Sequence, residues 1–227
     1  MKISALSLAI SLFVGFAFAS QSSQSSVSRL VRRGKSESQP FTNTYIMNNR
    51  LDYSQGALKI YYPNGAVAFQ FEKTFHDIRR GISNIAVKDS NSNPVLFLKS
   101  EDDTCFSKSH YIEPSVVGSH NRVFKIDPRG VKADTWNFSF IAAWGEEISY
   151  RYKRNYWDKG GKIYESRKGM KEVQVGILED QTRWEHWLNP GPKGASAFTL
   201  SCTASAAQVE LVTLMAMVLA RADVCGL

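Results

Sequence analysis

Residues 205–225, SAAQVELVTLMAMVLARADVC, are the only segment of the chain outside its N-terminus that reads as a convincing helix. From Val209 to Ala220, a stretch of 12 residues, only Glu210 and Thr213 are polar. Leu211, Leu214, Met215, Val218 and Leu219 follow helical spacing, while Val212 and Met217 make the opposite side apolar too. A helix that is apolar all round must be enclosed rather than covered on one face. The run is shorter than the roughly 20 residues a membrane-spanning helix needs. Arg221 and Asp223 interrupt the uninterrupted tail that a glycolipid-anchor signal requires. The preceding sequence offers strands, so a barrel built from them is the expected enclosure.

Twelve candidate strands carry that expectation. In the first half they are residues 44–47, 57–62, 66–71, 82–88, 95–100 and 110–113. In the second they are 122–127, 137–142, 148–153, 162–167, 172–178 and 197–201. Pro63-Asn64-Gly65, residues 89–94 (DSNSNP), Pro128-Arg129-Gly130 and Lys159-Gly160-Gly161 supply the turn chemistry between them. Alternation is clearest in Ile148-Ser149-Tyr150-Arg151-Tyr152-Lys153, which places the tyrosines on one face and the cations on the other. A sandwich has no use for the closing helix, and an alternating α/β fold needs many more helices. The roughly 190 residues involved suffice for one domain with a sizeable core.

The N-terminus predicts export. Lys2, the apolar run 3–18, and Ala17 and Ala19 before Ser20 have the form of a secretory signal peptide over residues 1–19. A serine-rich leader expected to be disordered follows over 20–40, and the barrel domain over 41–227. Arg32-Arg33 in that leader reads either as a dibasic processing site or as a solvated charge pair. Of the 28 basic residues, four (Lys2, Arg29, Arg32, Arg33) lie in the first 33, which hold no acid. The remainder therefore carries 24 basic against 21 acidic residues, a net charge of +3, and no nucleic-acid partner is expected.

What basicity remains is local. Arg151, Lys153, Arg154, Lys159, Lys162, Arg167, Lys168 and Lys171 face only Asp158 and Glu165, a local net charge of +6. The run reads in two ways. It is a lysine-blunted, solvated hairpin, or it is a patch for phosphates, anionic lipid headgroups or acidic polysaccharide, with Arg151, Lys153, Arg154, Lys159 and Lys162 as ligand-binding residues.

Three cysteines, Cys105, Cys202 and Cys225, allow one bridge in an exported chain, and spacing does not decide which. Cys202 with Cys225 is the expected pairing, because it staples the last strand to the end of the helix. Asn137-Phe138-Ser139 is the only N-glycosylation sequon, usable if Asn137 faces solvent.

Four segments, taken in order, carry a family resemblance. They are ALKIYYPNGAVAFQFEK (57–73), IAVKDSNSNPVLFLKS (85–100), ISYRYKRNYWDKGGKIYESRKGMKEVQVGIL (148–178) and VELVTLMAMVLARAD (209–223). Their succession resembles the tubby C-terminal-like superfamily, which includes tubby domains, phospholipid scramblases and LURP-one-related proteins. The resemblance implies a mainly β fold, a closed antiparallel barrel of about twelve strands wrapped around a C-terminal hydrophobic helix. It also implies phosphoinositide-type binding through basic side chains in one branch and no settled activity in another. Ser92 stands where the turn often has glycine, and the secretory leader departs from a domain that is usually intracellular.

No catalytic set is legible. His76, His110, His120 and His186 lack zinc-site spacing. Ser119-His120 lacks the second glycine of a nucleophile elbow. Asp102-Asp103 and Glu146-Glu147 are neighbours whose side chains should diverge. Trp184-Glu185-His186-Trp187 reads as a packed loop over the barrel mouth, or as a sugar- or membrane-contacting pair. The expectation is a secreted, monomeric, non-catalytic binding protein without metal or cofactor. Its partner is a protein, in a host-directed or self-directed role, or an anionic lipid surface. An unrecognised hydrolase is the remaining class.

Overall fold

Turn chemistry cuts the chain into strands, and each strand pairs with the one before it. At the β2–β3 turn Asn64 Oδ1 accepts the Ala66 N–H at 3.0 Å, and Gly65 takes a φ of 85°. At the β4–β5 turn Asp89 Oδ1 accepts from the Asn91 and Asn93 amides at 2.9 and 2.8 Å. There Ser92 adopts a left-handed φ of 66°, the conformation glycine usually supplies. In this computed structural model, which describes residues 40–114, 121–129, 132–141 and 145–226, twelve antiparallel strands close into a barrel. They are β1 (Asn43–Asn48), β2 (Leu58–Tyr61), β3 (Val67–Asp77), β4 (Ile82–Asp89), β5 (Pro94–Ser100) and β6 (Ser109–Ile112), followed by β7 (Val123–Arg129), β8 (Lys132–Ile141), β9 (Glu147–Arg154), β10 (Gly161–Arg167), β11 (Val173–Arg183) and β12 (Ala195–Cys202). Each neighbours its sequence neighbours, and β1 completes the ring by pairing with both β2 and β12. Closure gives every strand two neighbours.

One α-helix among the described residues, α1 (Gln208–Cys225), fills the barrel, and every residue from Glu210 to Arg221 is buried. Its apolar side chains join one core with inward residues of the wall such as Phe71, Ile85, Leu98, Phe124, Tyr150, Ile163 and Leu200. Burying each aliphatic side chain of this size contributes about 1.5–3 kcal/mol. The ends of the helix are satisfied by the wall. The Tyr150 hydroxyl accepts the Ala207 N–H at 2.9 Å where no side chain caps the helix. Glu210, in the first turn, pairs with Arg122 at 2.6 Å, placing an acid where the helix dipole favours one. At the far end Arg221 donates to the Thr104 and Cys105 carbonyls at 3.1 and 3.0 Å.

One expectation is corrected. The bridge joins Cys105 to Cys225, 120 residues apart, and Cys202 is a buried free thiol. Strand β12 runs toward the end where α1 begins, so Cys202 lies near the start of the helix and Cys225 a helix length away. The β5–β6 loop lies at that distant end and brings Cys105 within reach. Cys202 instead donates its thiol to Gln208 Oε1 at 3.3 Å, and burial pushes its pKa to about 12, which leaves it unreactive. The signal-peptide, leader and Arg32-Arg33 readings lie outside the described residues, apart from position 40.

Because the strands simply alternate up and down, the loops fall into two sets. The β1–β2, β3–β4, β5–β6, β7–β8, β9–β10 and β11–β12 connections share one end with the C-terminus of α1, here called the rim. Among the described residues, no helix is long and apolar enough to cross a membrane.

Candidate functional site: the β9–β10 hairpin

Strand β9 alternates as its sequence dictates. Ile148, Tyr150 and Tyr152 are buried, and Arg151 and Lys153 point outward. On β10 the same period buries Ile163 and exposes Lys162. Register places Lys153 opposite Lys162 and Arg151 opposite Tyr164. Two lysines directly across a pair of strands repel each other, and such placements cost a few tenths of a kcal/mol or more. The Lys153 ammonium rests over the Tyr164 ring, 4.8 Å from its centroid.

The turn is rigid. Asp158 Oδ1 accepts the Gly160 N–H at 2.7 Å and the Asn155 amide at 2.9 Å, and the Asn155 N–H reaches the Gly160 carbonyl at 2.8 Å. A Cβ at Gly161 would stand 2.2 Å from the Lys153 carbonyl oxygen, so only glycine lets the chain close on β9 there. At the tip Tyr156 and Trp157 meet edge to face at 4.5 Å, with Trp157 89% exposed.

The structure divides the eight-cation run. Arg151 is paired with Glu172, and Arg167 with Glu165 and Glu146. Lys159 donates to Asn49 Oδ1 at 2.8 Å. Arg154 is half-buried, its Nε enclosed without a hydrogen-bond partner. Lys168 and Lys171 belong to the β10–β11 turn at the opposite end. Of the five residues read as ligand-binding, Lys153 and Lys162 therefore stand together and exposed, with Arg154 beside them. Arg151 lies lower on the wall, engaged by Glu172.

Below the hairpin, cross-strand Ser139, Ser149 and Ser166 line a shallow groove of about 250 Å³ on the outer wall, with Lys125, Asn137, Arg151 and Glu172 around them. Asn137 is exposed and sits between Lys125 and Arg151, so the sequon meets its solvent-facing condition.

The other candidates resolve separately. Asp102 and Asp103 diverge as expected. Asp102 bonds His110 Nδ1 at 2.6 Å and accepts from the Ser100 hydroxyl at 3.1 Å. Asp103 pairs with Lys73 at 2.8 Å and accepts from Ser83 at 2.7 Å. Burial works to raise the Asp103 carboxyl, but the Lys73 charge and these hydrogen bonds outweigh it and hold it below its ordinary range. Burial pulls the Lys73 ammonium below its usual value against the pull of Asp103. His186 is exposed, His76 sits 2.6 Å from the Asn84 amide, and Ser119 with His120 lies outside the described residues. Glu146 faces Arg167 while Glu147 is exposed. Trp187 packs on Tyr61 at 4.8 Å and donates to the Pro63 carbonyl at 3.1 Å, so it seals the β2–β3 turn rather than the barrel mouth. Trp184 remains 61% exposed. Among the described residues, no group of three or more His, Cys, Asp or Glu is placed to hold a metal ion.

The Tyr156-Trp157 tip was not singled out from sequence. Its signal was present, as two aromatics inside a turn bracketed by Asn155 and Gly160-Gly161 where polar residues are the rule. Compared with known proteins, the chain matches no family model, no curated protein and no solved structure.

Proposed function

We propose that this chain is an exported, non-catalytic binding protein of tubby-like kind that docks on anionic phospholipid surfaces through the β9–β10 hairpin. The reading rests chiefly on one observation, a hydrogen-bonded turn that leaves Trp157 89% exposed within five residues of Lys153, Arg154 and Lys162. An amphipathic indole suits the headgroup level of a bilayer, and each lysine near an anionic surface contributes about 1 kcal/mol. The uncompensated Lys153–Lys162 pair gains a purpose if an anion completes it. Export is supported by the Cys105–Cys225 bridge, since disulfides persist in oxidising compartments. The kinship is supported by the four sequence segments together with twelve strands around one helix.

The test is co-sedimentation of the purified protein with phosphatidylserine-containing vesicles. The protein is expected to partition at low salt, less so at physiological salt. K153E/K162E is expected to weaken partitioning by at least about 30-fold, since losing the two lysines alone removes roughly 1 kcal/mol each and the new carboxylates add repulsion. Partitioning that survives this double reversal unchanged would remove the hairpin as the site. A protein that ignores acidic vesicles but captures a protein ligand would move the reading to a protein partner.

A further inference from the structure

Three large apolar side chains stand out as the most exposed among the described residues: Phe106 at 98%, Trp157 at 89% and Ile78 at 77%. They are distant in sequence and lie in the β5–β6, β9–β10 and β3–β4 loops, all of which the up-and-down topology delivers to the rim. Building on the hairpin reading, we infer that the rim is an end-on membrane-docking surface, with Ile78 and Phe106 joining Trp157 as three separate insertion points into an anionic bilayer.

Two observations on these loops carry the inference. The first is charge. Exposed Arg79 and Arg80 follow Ile78, exposed Lys108 follows Phe106 at two residues, and Arg154 and Lys159 flank the Trp157 turn. Each apolar tip thus has basic residues within three positions of it in the chain, the pairing that an anionic membrane interface rewards.

The second is preorganisation. Phe106 follows Cys105, which is bridged to the end of α1, and Arg221 holds the Thr104 and Cys105 carbonyls from inside the barrel. The loop base is pinned on both counts, so the ring is held outward. Ile78 sits on a connection of only four residues, closed by the Gly81 N–H to the Ile78 carbonyl and by Asp77 Oδ1 accepting the Arg80 amide at 3.1 Å. Apolar tips spaced around a ring present no single contiguous patch for the desolvated core of a protein interface. A plane of lipid accommodates them all at once.

The experiment places an environment-sensitive thiol dye at Ile78→Cys, Phe106→Cys and, on the opposite end, Met170→Cys, in the oxidised protein with buried Cys202 left in place. Each is mixed with phosphatidylserine vesicles carrying a quencher in the acyl region. The expected result is a blue shift and quenching at 78 and 106 with none at 170. I78S/F106S is expected to partition about tenfold less, as the loss of two partly immersed side chains predicts. Dyes at 78 and 106 that stay in water, on protein that still binds and still depends on Lys153 and Lys162, would overturn the end-on rim and leave the hairpin reading intact. Wild-type protein that does not bind the vesicles would overturn both. Quenching at 170 equal to that at 78 would overturn the orientation.

Discussion

Reducing the Cys105–Cys225 bridge is expected to lower the unfolding free energy by about 2–5 kcal/mol. The bridge spans 120 residues, so its loss returns a large loop-closure entropy to the unfolded chain. For a domain of this size that corresponds to a fall in Tm of roughly 5–15 °C. The change should be local as well as global, because the bridge is the covalent tie between the β5–β6 loop and the last turn of α1, which Arg221 also joins through the Thr104 and Cys105 carbonyls. Thermal unfolding with and without reductant, alongside C105A/C225A, measures it. C202A should retain the bridge and its sensitivity to reductant, whereas a C202A protein without a reducible bridge would mean that Cys202 is a member of the bridge.

Lys73→Met is expected to cost about 3–5 kcal/mol. The side chains of Lys73 and Asp103 are only 7% and 6% exposed, and their charged atoms meet at 2.8 Å. Removing the cation leaves a carboxylate in the barrel wall with the Ser83 hydroxyl still donating to it at 2.7 Å. Packed apolar replacements for both members of such a pair are often neutral. K73M/D103L should therefore recover at least half of the loss, the balance reflecting Ser83 and Tyr111 hydroxyls left without their acceptor. Denaturant unfolding of the single and double variants decides. A single substitution that costs nothing would mean that Lys73 reaches solvent.

These residues also explain what was legible in the sequence and what was not. The apolar run of α1 announced its enclosure because no side of it was polar, and Glu210–Arg221 is buried throughout. Alternation at residues 148–153 placed Tyr150 and Tyr152 inside for the same elementary reason. All twelve strands were found, yet β3 and β11 run to Asp77 and Arg183, well past the polar positions where their patterns fade. On β3 the break is Lys73, a cation packed beside Tyr111, at a position where alternation calls for an apolar residue. The disulfide was hidden because it depends on which loop meets the helix end, a fact of topology rather than spacing. The basic run overstated its own field because Glu172 and Glu146, supplied by neighbouring turns, pair with Arg151 and Arg167. Lys153 and Lys162 were named from the run itself, but that they stand directly opposite each other came only with the β9–β10 register. The rim was the least legible of all, since Ile78 and Phe106 are single apolar residues in polar loops until closure of the barrel brings those loops to one end.

The most direct test of docking through the hairpin is hydrogen–deuterium exchange of the whole protein, free and bound to phosphatidylserine vesicles. Protection concentrated in residues 154–162, with the 78–81 and 104–108 loops following, is the result this account predicts. Protection that falls instead on the serine groove of β8 and β9, or nowhere on the hairpin, would contradict it.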